Sequence, residues 1–162
     1  MLRQKVYIET TVISYLTGRV SSSLSVASHQ QTAQRWWDLH RANYDLFISP
    51  LVVDEIRAGD PVAAAAREQA IAGIAVLATT EDAFRLAQLF LAKGSMPKKA
   101  SDDALHVALA AVYGIDYLLT WNCTHIANAS IRRIVERLIF EAGYSCPTIC
   151  TPEELLGGEH DE

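Results

Sequence analysis

Cysteine is scarce in this chain: three residues in 162, Cys123, Cys146 and Cys150. An odd number in the spacing Cys-x22-Cys-x3-Cys provides neither a disulfide framework nor the paired pattern of a zinc site, so reduced, partly buried thiols are expected. Long apolar runs are also missing, and nothing approaches the roughly 20 residues that cross a bilayer. The start, Met1 to Lys5, leads straight into a strand-like pattern without the apolar region and cleavage site of a secretion signal, so a cytoplasmic protein is expected. Positive charge is in short supply, with 14 Lys and Arg against 19 Asp and Glu and a formal net charge of −5. That balance argues against coating nucleic acid through bulk charge. It leaves room for local binding, because a cluster of metal-binding carboxylates itself makes the total negative. No phosphate-cradling glycine loop or dinucleotide fingerprint occurs, which excludes nucleotide cofactors.

What is present is the pattern of an ordinary globular domain: half of the residues are apolar and a fifth are charged, enough to build a core. A single domain over 1–162 is expected, with about 152–162 as a tail. The run Lys5-Val6-Tyr7-Ile8 reads as a buried strand that stops at Glu9, with Thr10 and Thr11 as capping hydroxyls for a brief helix closed by Gly18. A long helical pattern follows over 26–43, and 45–49 (DLFIS) is a second strand. Pro50 and Pro61 each open a helix, 75–78 is a weak third strand, and Thr80 with Glu81 and Asp82 begins the next helix. Ser101 is read as the cap of a helix over 102–113 closed by Gly114, followed by the strand 117–120, a helix capped by Asn128, and a last strand over 148–150. Strands alternating with helices imply a mostly parallel sheet covered on both faces, an α/β fold in three layers, in which function gathers at the carboxyl ends of the strands.

That rule gives particular acids their interest. Glu9 stands where the first strand stops, and Asn122 stands two residues beyond the strand that ends at Thr120. Glu55 lies on the helix after the second strand, and Asp102 and Asp103 lie in the first turn of a later helix. Crowded carboxylates repel unless cations neutralise them, and hard oxygen donors suit Mg²⁺ or Mn²⁺. Each acid also has an ordinary explanation, as a solvated carboxylate or as a partner of a helix dipole.

Four blocks carry a resemblance: Ile8-Glu9-Thr10-Thr11-Val12-Ile13-Ser14, then Ser49-Pro50-Leu51-Val52-Val53-Asp54-Glu55-Ile56, then Asp103-Ala104-Leu105-His106-Val107-Ala108-Leu109-Ala110, then Gly114-Ile115-Asp116-Tyr117-Leu118-Leu119-Thr120-Trp121-Asn122. In this order they resemble the motifs of PIN-domain proteins, in particular the VapC-like toxins of type II toxin–antitoxin pairs. The resemblance implies a PIN-like three-layer α/β/α fold and an endoribonuclease dependent on Mg²⁺ or Mn²⁺. It also implies an antitoxin partner and a homodimer. Carried over by position, Glu9, Glu55 and Asp103 are the catalytic acids and, with Asn122, the metal ligands. Thr10, Ser14 and Thr120 are supporting positions. Two departures stand out: Glu9 replaces the usual aspartate and is one methylene longer, and Asn122 occupies a position where the family has an acid. Asp102 is a further source of charge, although neighbouring helix residues point about 100° apart. These departures keep a second reading open, a weakened or inactive module that binds nucleic acid or a protein. A third, a phosphatase, lacks the Asp-x-Asp expected after the first strand.

Lys98, Lys99 and His125 are candidate substrate contacts: the lysines precede the acidic helix, and His125 follows the Asn122 loop. His106 lies inside an apolar helical pattern and is read as a hydrogen-bonded core residue. Trp36 and Trp37 are adjacent on one helix and cannot both enter the same core, so one is expected at a surface or a subunit contact.

Overall fold

Val6, Tyr7 and Ile8 are fully buried within strand β1, Lys5–Ile8, as a strand covered on both faces requires. The computed structural model describes residues 2–93 and 96–156. Four further strands, β2 (Asp45–Ile48), β3 (Ala75–Val76), β4 (Tyr117–Leu119) and β5 (Thr148–Cys150), join β1 in one sheet of order β3-β2-β1-β4-β5. All pairings are parallel; Tyr7 stands beside Phe47 on one side and Leu118 on the other. The order reverses at β1, so the crevice between the carboxyl ends of β1 and β4 is the place where such sheets collect ligands.

Among the described residues, eight α-helices connect and cover the strands: α1 (Thr10–Thr17), α2 (Leu24–His40), α3 (Pro50–Ile56), α4 (Pro61–Ile71), α5 (Glu81–Ala92), α6 (Ser101–Val112), α7 (Ala129–Glu141) and α8 (Pro152–Leu156). One group packs α1 against α2, α3 and α4, with α8 on α2; the other packs α5 against α6 and α7. Together with the sheet they form the expected three-layer α/β/α arrangement. Helix α6 is the most deeply set, with Ala104 and every residue from His106 to Ala111 buried. Gly114, at φ +65°, ends its last turn and sends the chain into β4, a backbone shape in which a Cβ is strained.

Local expectations needed correction at three places. Thr10 and Thr11 do not cap α1: Glu9 is the N-cap, and its carboxylate accepts a hydrogen bond from the Thr11 amide. Ser101 does not cap α6, because a 3-10 turn at Lys98–Ala100 runs directly into the helix and makes Ser101 its first residue. Residues 152–156, expected within the tail, form α8, whose Pro152 and Leu156 are buried; 157–162 lie outside the described residues. Two buried apolar side chains are enough to seat this one helical turn on α2. The long pattern over 26–43 is helix α2 followed by a 3-10 turn at Arg41–Asn43. Trp36 is buried, and Trp37 is half-buried with the Arg41 guanidinium 4.8 Å above its ring. The cysteines are free: Cys123 is exposed, Cys146 half-buried and Cys150 buried, with burial pushing the Cys150 thiol up to about 12.

Candidate functional site

Glu9 leaves the end of β1, and its amide still bonds the Leu119 carbonyl of β4 at 3.0 Å, so the carboxylate starts at the crevice. Only 3% of the residue is exposed. Burying a carboxylate is costly unless its lone pairs are engaged, and three donors engage them here. Thr120 Oγ donates to Oε1 at 2.6 Å, Thr11 Oγ donates to the same oxygen, and the Thr11 amide donates to Oε2 at 3.2 Å. Thr11 Oγ in turn accepts from the Trp121 amide at 2.8 Å, and Thr120 Oγ accepts from the Asn122 amide at 2.9 Å. Glu9 thus clasps the first turn of α1 to the loop after β4.

Glu55 comes from α3, which begins after β2 with Ser49 as N-cap and Pro50 in the first turn. Its Oε1 accepts from Thr10 Oγ at 2.8 Å and lies 2.6 Å from His106 Nε2. Thr10 follows Glu9 directly, so the first two acids are joined through one residue. On the other side of the His106 ring, Nδ1 is 2.7 Å from the Tyr7 hydroxyl, which is 2.7 Å from Ser49 Oγ. Burial pushes the Glu55 carboxyl up, but the hydrogen bond and charge of His106 and the hydrogen bond from Thr10 outweigh it and hold the group below its ordinary range. Burial likewise lowers His106, and the Glu55 hydrogen bond with the charges of Glu9, Glu55 and Asp103 raises it to above its ordinary value. Three carboxylates from distant segments therefore act on one imidazole.

Asp103 stands in the first turn of α6, one helical turn before His106, and its Oδ2 is 3.0 Å from His125 Nδ1. The His125 amide donates to Asn122 Oδ1 at 3.0 Å, which fixes the loop after β4 and turns the imidazole to Asp103. Both side chains are 21% exposed, so this edge of the cluster opens to solvent. Asp102 is exposed, consistent with the turn of about 100° between neighbours. Lys98 and Lys99 are exposed in the turn just before α6, and Ser14 is half-buried on α1. Trp121 is nearly buried and its ring is already stacked, 4.2 Å from His29 and 6.1 Å from Tyr15.

The structure brings Glu9, Glu55, Asp103 and Asn122 together in two hydrogen-bonded groups, Glu9 with Thr11, Thr120, Asn122, His125 and Asp103, and Glu55 with Thr10, His106, Tyr7 and Ser49, which meet where Thr10 follows Glu9 in the chain. Sequence reasoning missed Thr11, Tyr7, Ser49 and the part played by His106. The only signal for His106 was a polar residue within an apolar helical pattern, three positions after Asp103. Among the described residues no lysine or arginine pairs with the three acids; Glu55 and Asp103 each contact an imidazole instead. Neither Glu55 Oε2 nor Asp103 Oδ1 accepts a hydrogen bond among the described residues.

The donors are hard oxygens with net negative charge, which fits Mg²⁺ or Mn²⁺ in kind. As placed, however, no three Asp, Glu, His or Cys groups among the described residues surround a point at which a metal ion would sit. Glu9 is spent on internal donors, which leaves the free oxygens of Glu55 and Asp103. One or two carboxylates completed by water are the usual protein share of a Mg²⁺ shell.

The fold is similar to that of solved toxin–antitoxin proteins. The chain is similar to Mycobacterium tuberculosis VapC20, described as a sarcin-ricin loop cleaving toxin, with 20% identity and TM-score 0.53 over 70% of this chain and 86% of that one. It is also similar to a chain of VapBC2 from Rickettsia felis bound to a DNA fragment from their promoter, with 11% identity and TM-score 0.60 over 91% of this chain and 98% of that one. No protein-family model matches the sequence, and no curated protein matches it. Among the described residues no helix is long and apolar enough to cross a membrane.

Proposed function

We propose that the chain is a ribonuclease of the PIN type, the toxin of a toxin–antitoxin pair, which hydrolyses RNA phosphodiesters with Mg²⁺ or Mn²⁺. The observation that carries this reading is the convergence of Glu9, Glu55 and Asp103 at the sheet's switch point, in two hydrogen-bonded groups joined through the Glu9–Thr10 link, with no Lys or Arg among the described residues pairing with them. The likeness to VapC20, a sarcin-ricin loop cleaving toxin, supports RNA as substrate, and the likeness to a chain of VapBC2 supports an antitoxin as partner. A homodimer is part of the same reading.

Glu55 and Asp103 would hold the cation, with Asn122 at the rim. When bound, a divalent ion there lowers the pKa of a coordinated water and offsets the charge that grows on a phosphate under attack. Glu9 positions rather than ligates: its three donors lock the first turn of α1 against the β4 loop and so place Thr10 on Glu55. His125, held by Asn122 and Asp103, stands at the open edge; with its Nδ1 hydrogen given to the Asp103 carboxylate, Nε2 can donate to a phosphate oxygen only in the imidazolium form. Lys98 and Lys99 would draw the RNA backbone toward this edge.

The test is incubation of the purified protein with single-stranded and structured RNAs, with Mg²⁺, Mn²⁺ or EDTA, beside the Asp103→Asn variant. Cleavage that needs metal and disappears in the variant supports the nuclease. Binding of RNA or of a protein without cleavage favours the inactive module, the reading that Asn122 in place of an acid keeps alive.

A further inference from the structure

Tyr7, Ser49 and His106 form a buried polar chain that the proposed reaction does not itself use. All three are fully shielded from solvent, on β1, at the start of α3 and in the middle of α6. Buried polar groups on three different elements are costly unless each is satisfied, and these satisfy one another. The end of the chain is at Glu55, where His106 Nε2 lies 2.6 Å from Oε1. An ionised carboxylate offers only acceptors, so the hydrogen in that contact belongs to the imidazole. At the other ring nitrogen the Tyr7 hydroxyl can donate or accept, and Ser49, which also receives the Val52 amide at 3.4 Å, anchors it to the α3 N-terminus.

We propose that His106 is a positioning residue: gripped at Nδ1 by the Tyr7–Ser49 pair, it keeps a hydrogen on Nε2, pins one oxygen of Glu55, and leaves the other oxygen aimed at the candidate cation site. Thr10 donates to the same pinned oxygen, so two donors on different elements define one carboxylate orientation. Oε2 is the atom without a protein partner among the described residues. The tie also couples two segments that come together only on folding, since Glu55 is on α3 and His106 is one turn along α6 from Asp103. The orienting hydrogen bond resembles the way outer groups fix the ligands of metal centres in general. As regards the cation, the inference rests on the function proposed above; as regards the proton and the orientation of Glu55, it stands independently.

Two measurements test it. Nitrogen-15 NMR of wild-type protein, recorded at a pH above the His106 transition where the ring is neutral, should show Nε2 carrying a hydrogen and Nδ1 bare, and the Tyr7→Phe variant should show Nδ1 gaining one in part of the population. A bare Nε2 in the wild type, or a ring unchanged in Tyr7→Phe, overturns the proposal whatever the protein's activity. Mn²⁺ titration is the second. His106→Gln retains a donor where Nε2 stood and should bind within about threefold of wild type, whereas His106→Leu should bind at least about tenfold more weakly. Both lose folding stability, so equal Mn²⁺ affinity in the two variants reduces His106 to a packing role and overturns the proposal. If His106→Leu does not fold, Tyr7→Phe replaces it, with an expected affinity loss of several-fold and the same overturning result. Wild-type protein that takes up no Mn²⁺ defeats the proposed cation alone and leaves the NMR result to decide on His106.

Discussion

Thr120 Oγ donates to Glu9 Oε1 at 2.6 Å across 111 positions of sequence, and both residues are buried. This bond closes the crevice between β1 and β4 and sets where the two following loops begin. Replacing Thr120 with Val keeps the shape and removes one of three donors to a buried carboxylate. The expected cost is about 1.5–3 kcal/mol, the range for a hydrogen bond to a charged group. Denaturant unfolding of Thr120→Val against wild type measures it, and a change under about 0.5 kcal/mol would show that the clasp is weak.

Stability should depend on pH through the Glu55–His106 pair. Glu55 is held below its ordinary value of 4.5, so its contribution is present above that pH and is lost as the pH falls through the folded value. His106 is raised above 6.5, so its contribution is complete below that pH and is lost as the pH rises through the folded value. Both contributions are complete together between these two ordinary values. Thermal unfolding of wild type should therefore peak in this window, and the difference from Glu55→Gln should be largest there. A flat difference across the range would contradict the pairing.

Asp103→Asn removes a charge from the open edge of the cluster while preserving the shape of the side chain. Metal-dependent cleavage of RNA should fall by about a hundredfold or more, as when one charge-stabilising group is removed from an active site. With Asp103 partly exposed, unfolding free energy should move by less than about 1 kcal/mol. Loss of cleavage with loss of fold would say nothing for catalysis, so the two are measured on the same preparation.

Asn122→Asp adds the acid that this chain lacks. The aspartate can still accept the His125 amide, so the loop is preserved, and one more negative charge then faces the cation. At an effective dielectric of about 20 such a charge is worth over 1.4 kcal/mol within about 6 Å, which corresponds to at least tenfold tighter Mn²⁺ binding. Calorimetric titration of the two proteins decides it, and equal affinities would place position 122 outside the ion's reach.

Thr80→Ala serves as a control away from the acids. Thr80 caps α5 by accepting the Ala83 amide at 3.2 Å. Its loss should cost about 1 kcal/mol and lower the melting temperature without changing the cleavage rate.

The elements were legible because periodicity and capping are local. The apolar run at Tyr7, the proline at position 50, the cap at Thr80 and Gly114 after α6 each state a preference within a few residues, and the chain follows them. Glu9 as a cap was not legible, since glutamate is not a favoured N-cap and becomes one here only because Thr120 arrives from β4 to share its charge. Ser101 misled for a related reason: a good capping residue is overridden when the preceding turn already continues the helix. Lys98 and Lys99 lie exposed in the turn before α6, and the ring of Trp121 is stacked on His29 and Tyr15.

The alternation of strands and helices, and with it a parallel sheet whose strand ends gather Glu9, Glu55, Asp103 and Asn122, follows from the order of residues alone. How each of those side chains is used follows from packing: Glu9 is turned inward onto three donors, Glu55 is pinned by His106 and Thr10, and Asp103 is paired with His125. The difference is one of range. Backbone preference and apolar period act within a turn or two of chain, whereas the partner that engages a buried carboxylate is chosen by whichever distant donor the packed sheet brings within about 3 Å.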